Sequence, residues 1–435
     1  MEKLGTKQNE EKVDSAVQGN ESPIKIEPGG LYQYMPHTIP WKQIPGTNLY
    51  WDIDDGLRLY QEGSEEYKVQ IMDHYNQVVL HDGLWKDKWL VVNKKWHILY
   101  AFSVFKGDQK IFEWAMNPEE CSYLITMPEG TVGDSIAWIS YCIMFKQKWR
   151  PKEVWVQTNQ FIIDLFKEQH PEINWCVKED IKDKNFDAVY RAGLFFQPEP
   201  DREPMSHKVV GLGKGLAYVL DVPPLDIPPK VKLGSERKIK EKYVCIAVQA
   251  SSATKMWNNP LGWDEVIDFL KQNGYRVLCI DRDKTVAGPM YISRIPNGCE
   301  DFTGNIPLQE RVELLEHADM FIGCSSGLSW LAWCVGVPRI IISGFTDPQT
   351  EPYTPFRVIS FYGCHGCWNM IDKQFDNKDY MWCPMNKQFE CTKMISSKMV
   401  INKIIECMMT VPSKGENNVS EVRTNGSGTA EQNGD

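Results

Sequence analysis

The sequence lacks any apolar run of the roughly eighteen residues needed to cross a bilayer, so no membrane span is expected. It also lacks an early apolar segment: the chain opens MEKLGTKQNEEKVDSAVQGNES, which is not a signal peptide, and a cytoplasmic location is expected. Positive charge is not in excess. The 48 Lys and Arg against 58 Asp and Glu give a formal net charge of -10, which argues against a broad nucleic-acid or anionic-membrane surface. A strand-led dinucleotide loop is missing too. The GLGKG run at Gly211 to Gly215 follows no strand and has no acidic residue at the expected distance, so it reads as a linker-side helix. The DIDD run (Asp52, Asp54, Asp55) has no strand closely before it, as a sugar transferase's metal-binding DxD would, and reads as a turn.

Cysteine, by contrast, is plentiful. Thirteen cysteines without an export signal imply a reducing compartment, where thiols stay free or bind metal. Cys245, Cys279 and Cys334 sit in apolar runs and read as small core residues. Cys364, Cys367, Cys383 and Cys391 are different. They follow C-x2-C, fifteen residues, C, seven residues, C, in a polar and aromatic stretch that is short of aliphatic core residues. A tight turn brings the first pair to one side of a tetrahedral metal, and a returning segment closes the site. Two disulfides or four unrelated thiols are the alternatives. Zinc and iron both accept four thiolates, and the spacing does not choose between them.

The 435 residues allow two or three domains. Residues 1–30 and 412–435 are polar and read as disordered tails. Residues 31–120 are Trp- and Tyr-rich and β-like, with runs such as WLVVN and QKIFEWAM, and predict a small sheet or barrel. Strands then alternate with helices over 121–225 (CSYLITM, SIAWISYCIMFKQKW, EVWVQT, NQFIIDLFKEQH, FDAVYRAG). A proline-rich connection follows, and the alternation resumes over 226–350 (KYVCIAVQAS, GWDEVIDFLKQNG, YRVLCID, IPLQERVELLEHA, MFIGCS, SGLSWLAWCVG, VPRIIISG). This rhythm predicts an α/β fold of two doubly wound, Rossmann-like units with a cleft between them. The metal finger is placed at 351–395 and a C-terminal helix at 396–411.

Three loops at strand ends carry candidate chemistry, because ligands bind outside the carboxyl ends of such strands. Ser325, Ser326, Gly327, Leu328 and Ser329 join MFIGC to a helix start, which suits a phosphate: Gly327 lets it approach the backbone and Ser326 and Ser329 offer hydroxyls. Plain serine capping accounts for one serine only. Gln249, Ser251, Thr254 and Lys255 follow the strand KYVCIAVQ, and Lys255 can neutralise a diphosphate as a point charge. Gly130, Thr131, Val132, Gly133 and Asp134 lead into the first helix. There Asp134 is either a cap or a general base facing the cleft.

These three sites, in this order, resemble the GT-B glycosyltransferases that use ADP-heptose. Gly133-Asp134 matches the Gly-Asp pair of lipopolysaccharide heptosyltransferases, and Lys255 matches their lysine. Their D-S/T-G-x-x-H loop is not matched, since Ser325 stands for its Asp and Trp330 for its His. A closer resemblance is to the bacterial autotransporter heptosyltransferases, through GDSIAW (Gly133 to Trp138), the Gln249 to Lys255 loop, SGLSWLAW (Ser326 to Trp333) and the four cysteines. That resemblance spans about 31 to 411. It implies transfer of heptose from ADP-heptose to serines of secreted adhesins before export, with Asp134 as base. It also implies donor contacts from Thr131, Val132, Gly133 and the two later loops. One structural iron(III) per chain is implied on the four cysteines, and the protein is expected to form a homo-oligomer. Transfer from another nucleotide sugar, or a non-enzymatic metal-finger adaptor, are the competing readings.

Overall fold

The computed structural model describes residues 40–54, 56–92, 94–127, 132–193, 203–288, 291–373 and 382–414. The N-terminal part is all β. Strands β1 (Lys42–Gln43), β2 (Leu49–Ile53), β3 (Leu57–Gln61), β4 (Tyr67–Asp73), β5 (Val78–Trp85), β6 (Trp89–Val91), β7 (Tyr100–Lys106) and β8 (Gln109–Ala115) form two antiparallel sheets. Their orders are β1-β2-β3-β6 and β5-β4-β7-β8. The alternating burial of YKVQIMD and YAFSVFK gives the second sheet one apolar face, while β2 and β3 of the first are buried along most of their length. Trp51 bridges the two, edge-on to Phe102 at 5.1 Å and 4.4 Å from Trp114.

The first α/β half contains β9 (Ser122–Thr126), α1 (Val132–Trp149), β10 (Glu153–Gln157), α2 (Gln160–Phe166), β11 (Asn174–Cys176), β12 (Ala188–Arg191), α3 (His207–Val210) and α4 (Leu212–Val219). The strands are parallel in the order β11-β10-β9-β12. The GLGKG run does lie in a helix, α4.

The second half contains β13 (Tyr243–Ala247), α5 (Gly262–Gln272), β14 (Arg276–Cys279), a hairpin of β15 (Thr285–Ala287) and β16 (Ile292–Arg294), β17 (Glu300–Asp301), α6 (Leu308–His317), β18 (Met320–Cys324), α7 (Gly327–Val335), β19 (Arg339–Ile342) and β20 (Arg357–Val358). Its parallel sheet runs β17-β14-β13-β18-β19-β20. The core strands YVCIA, MFIGC and RIII are buried along their whole length, as expected where helices cover both faces. Gly336 ends α7 at φ 78°, a left-handed position that suits glycine, and its N–H reaches the carbonyls of Ala332 and Trp333. Helices α8 (Glu390–Lys393) and α9 (Ser397–Thr410) close the chain. Val400, Ile404 and Cys407 of α9 join Val266, Ile267 and Leu270 of α5 in one apolar cluster.

Each α/β sheet reverses its winding once. In the first, β9 lies between β10 and β12; in the second, β13 lies beside both β14 and β18. The loops leaving β9, β13 and β18 therefore emerge at the switch points, where such sheets bind ligands. One continuous core runs through all three parts, from Leu59 and Phe102 through Ile125 and Trp138 to Phe321 and Leu331.

The DIDD run lies only in part in the expected turn: β2 ends at Ile53 and β3 begins at Leu57, so Asp54 falls in the connection and Asp52 does not. Asp52 lies within β2 and accepts both ends of the Arg58 guanidinium. Asp54 forms an isolated parallel bridge with Val189 and an ion pair with Arg191 at 2.5 Å, and Asp55 lies outside the described residues. Asp52 meets Arg58 because β2 pairs with β3, and Asp54 meets Arg191 because the β-rich part docks on the end of β12. The Arg191 side chain is 4% exposed. Arg191→Ala takes away the nearer of Asp54's two cations and leaves Arg58 at 3.7 Å, the loss of a charged hydrogen bond that costs about 1–3 kcal/mol. Urea unfolding of that variant is expected to show a clearly lower midpoint; an unchanged midpoint would show that the joint does not need the pair.

Candidate functional site

Two helix starts meet at the centre of the molecule. A Cβ built on Gly327 would lie 2.8 Å from Val132 Cβ and 3.3 Å from Gly133 N. One built on Gly133 would lie 3.0 Å from the Trp330 ring and 3.4 Å from Gly327 Cα. The first turns of α1 and α7 are thus in van der Waals contact; a side chain at Gly327 runs into Val132, and one at Gly133 fits only if the Trp330 ring gives way by a few tenths of an ångström. Expected as the opening for a phosphate, Gly327 is occupied on its Cα side by the other half of the protein. Asp134 sits in the first turn of α1, beside this contact. The partial positive charge of helix N-termini favours a carboxylate there. Thr131 lies outside the described residues.

The serines of the β18–α7 loop are not equivalent. Ser325 is buried and donates its hydroxyl to Glu351 Oε1. Glu351 in turn accepts from Thr346 Oγ1 at 3.1 Å and pairs with Arg357. Ser329 is 1% exposed and donates its hydroxyl back to Ser326 O at 2.7 Å. Ser326 caps the helix through its backbone with no side-chain cap bond, and it and Leu328 are only half-buried. Of the loop's hydroxyls, Ser326 is the one placed to meet a ligand, together with the unpaired N–H groups that open any helix.

The loop after β13 divides in the same way. Gln249 donates its amide to Asp283 O at 2.7 Å, and Thr254 is buried with its Oγ1 2.5 Å from Ser252 Oγ. Ser251 is exposed, and Lys255 is half-buried at the end of the 3₁₀ turn Ala253–Lys255. Asp281, at the end of β14, holds the loop by accepting N–H bonds from Val248 at 2.8 Å and Gln249 at 3.3 Å. Burial lifts its carboxyl to about 6. Sequence reading missed Asp281 and Glu351. Asp281 had a local signal, an acid at the end of an apolar strand, whereas Glu351 is 26 residues from the serine it fixes.

The four cysteines of the finger line one cavity of about 250 Å³, with Thr254, Phe345 and His365 also on its wall. Cys367, Cys383 and Cys391 are buried and Cys364 is half-buried; all four are free thiols, so the disulfide alternative does not hold. Burial first, and then the neighbouring thiols, push Cys367 and Cys391 up to about 12. Without a cation among them these thiols stay protonated; a metal bound there would draw off their protons. The Lys387 N–H donates to Cys383 Sγ at 3.3 Å, a bond that suits a thiolate ligand. Four thiols on the wall of one cavity suit a tetrahedral metal by donor chemistry. Among the described residues, however, no three His, Cys, Asp or Glu side chains form a closed ligand set.

Paired parallel sheets, with switch-point loops facing each other across two helix starts, define a GT-B-like glycosyltransferase, and residues 223–378 match glycosyltransferase family 9 (heptosyltransferase). The crystal structure of a bacterial iron-containing dodecameric glycosyltransferase, TibC from enterotoxigenic E. coli H10407, superposes with a TM-score of 0.81 at 36% identity, covering 86% of this chain and 99% of that one. TibC has also been crystallised with ADP-D-beta-D-heptose. The autotransporter heptosyltransferase Aah of Escherichia coli is 42% identical over 82% of this chain and 93% of its own length. The chain belongs to the autotransporter heptosyltransferases. One relative, BimC of Burkholderia thailandensis, is described as inactive; it is 30% identical over 83% of this chain and 85% of its own.

The Gly133–Gly327 contact makes a direct prediction. Gly327→Val forces its side chain into Val132, so the halves must part. Thermal unfolding should begin lower by several degrees, in line with the roughly 1–3 kcal/mol cost of overpacking. Gly327→Ala should show a smaller loss in the same direction. A valine variant as stable as the parent would mean that the two helix starts are not in contact in solution.

Proposed function

We propose that this protein transfers heptose from ADP-heptose to serine hydroxyls of an autotransporter adhesin. The observation that carries the reading is the meeting of α1 and α7, which sets Asp134 beside the loop that suits a diphosphate. The family, and a relative crystallised with ADP-heptose, support the donor. Asp134 takes the proton from the serine hydroxyl as its oxygen bonds to the anomeric carbon of the sugar. The bond from that carbon to the phosphate oxygen breaks, and ADP leaves. Lys255, Ser326 and the start of α7 offset the charge that develops on the diphosphate. Thr131, Val132, Gly133, Gln249, Ser251, Thr254, Ser325, Leu328 and Ser329 complete the proposed donor site, the buried ones by shaping it. In this reading residues 121–225 serve the acceptor and 226–350 the donor. A cytoplasmic enzyme, acting before export, fits a chain with no helix long and apolar enough to cross a membrane among the described residues.

Cys364, Cys367, Cys383 and Cys391 would hold one iron(III), with zinc the alternative. The metal would be structural, because four thiolates leave no coordination position for a substrate. A homo-oligomer is proposed because a relative is dodecameric. Elemental analysis of purified protein should find about one metal per chain, mostly iron. Cys364→Ser and Cys383→Ser should lose metal and soluble yield together, because metal binding here is folding energy. A folded, active sample without metal would remove this part of the reading.

Asp134 is the decisive residue of this reading. Asp134 is the third residue of α1 and lies inside its first turn, so Asp134→Asn keeps the shape and loses only the charge's attraction to the helix start, about 0.3–1 kcal/mol. It removes the base, so turnover should fall by about 10² to 10⁴ while ADP still binds. The assay is sugar transfer to an adhesin fragment, followed by mass, with ADP-heptose run beside a panel of other nucleotide sugars. Near-normal transfer by the stable variant leaves Asp134 as a first-turn acid that favours the helix start, and the base lies elsewhere. Faster transfer from another nucleotide sugar replaces the donor but leaves the site in place.

A further inference from the structure

The turn that carries Lys255 is three residues long and cannot hold its own shape. Its support comes from the finger, more than a hundred residues later. Thr254 lines the cavity that the four thiols surround. Ala253 packs in a cluster with Cys383 and Phe389. The Asn258 side-chain amide gathers three oxygens: Ala253 O at 3.0 Å, Met256 O at 2.9 Å and Thr392 Oγ1 at 2.9 Å. Two of these belong to the turn and its exit. The third belongs to the residue next to Cys391, and Thr392 is fully buried. Trp257 Nε1 donates to Ile395 O at 2.9 Å. A Cβ on Gly344 would come within 2.9 Å of Cys391 Cβ, so the chain after β19 also rests on the fourth cysteine.

We infer that the four-cysteine finger is the mould for the Lys255 turn, with Asn258 and Thr392 as positioning residues that tie the closing of the thiol site to diphosphate binding. The inference rests on the reading of Lys255 as a diphosphate contact. A finger that is open leaves Ala253 and Thr254 without a floor, and Lys255 then samples many positions. A finger that is closed holds the turn in one. Coupling of this kind is reciprocal: whatever factor closure gives to ADP affinity, ADP gives to closure.

The full-length protein, as purified, tests this with ADP alone as ligand and without an acceptor. Calorimetry gives ADP affinity before and after treatment with a metal chelator. Peptide mass spectrometry gives the rate at which a maleimide alkylates Cys364 and Cys367, with and without saturating ADP. Stripping should weaken ADP binding, and ADP should slow finger alkylation, by matching factors of about 5–150. Thr392→Val keeps the size of the side chain and removes the oxygen that meets Asn258. It should retain metal and melting temperature yet lose most of the protection by ADP and about tenfold in ADP affinity. Asn258→Ala should do the same more strongly. ADP that binds the parent protein without changing alkylation overturns the coupling and leaves the donor site standing. Thr392→Val with full affinity and full protection overturns the route through Asn258. A parent protein that binds no ADP in either state overturns the reading of Lys255 and the inference with it.

Discussion

The structure depends on one close contact, the meeting of two glycines. Gly133 and Gly327 let the first turns of α1 and α7 touch: a side chain at Gly327 would displace Val132, and one at Gly133 would press on the Trp330 ring. Helix N-termini carry partial positive charge. Bringing two of them together creates a small electropositive region at the junction of the sheets. Such a region suits a diphosphate and an ionised base, the two charges that glycosyl transfer from a nucleotide sugar must handle. The Trp330 ring fills the remaining space against Gly133 and is itself set edge-on to Trp333 at 5.8 Å.

Around that contact, the supporting groups come from distant parts of the chain. Glu351 fixes Ser325, Asp281 fixes the strand end before the Lys255 turn, and the finger fixes the turn itself. None of these side chains needs to touch a substrate. They are buried, they accept or donate several bonds each, and they take up the flexible ends of strands. The finger is also tied to the first half, since Lys208 Nζ donates to Met370 O at 2.9 Å and Asn369 Nδ2 to Lys208 O at 2.7 Å. It therefore touches both halves of the protein and is part of what holds them together.

Much of the fold was legible because its strands and helices carry their periods plainly. RIII and MFIGC are unbroken apolar strands, and α5 repeats apolar residues at Val266, Ile267 and Leu270. The β-rich part was legible as a class and not as two sheets, since antiparallel pairing is set by cross-strand partners and not by local pattern. Asp52 was misjudged as a turn residue because its partner, Arg58, becomes visible only once β2 and β3 pair. In the site, the loops were found by position alone, at strand ends and helix starts. Which of their side chains remain available was not legible. Ser325 and Ser329 look alike in sequence, but one is held by a glutamate 26 residues on and the other by its own helix.

By itself the sequence determined the alternation of strands and helices, the four-cysteine spacing and the three loops, because each is written in residues close together along the chain. Only the tertiary structure decided what those pieces meet. It brought Gly133 to Gly327 across nearly two hundred positions, turned Ser325 toward Glu351 and seated Thr254 on the thiol cavity. Such meetings depend on the shapes of two packed surfaces, and no local periodicity records them.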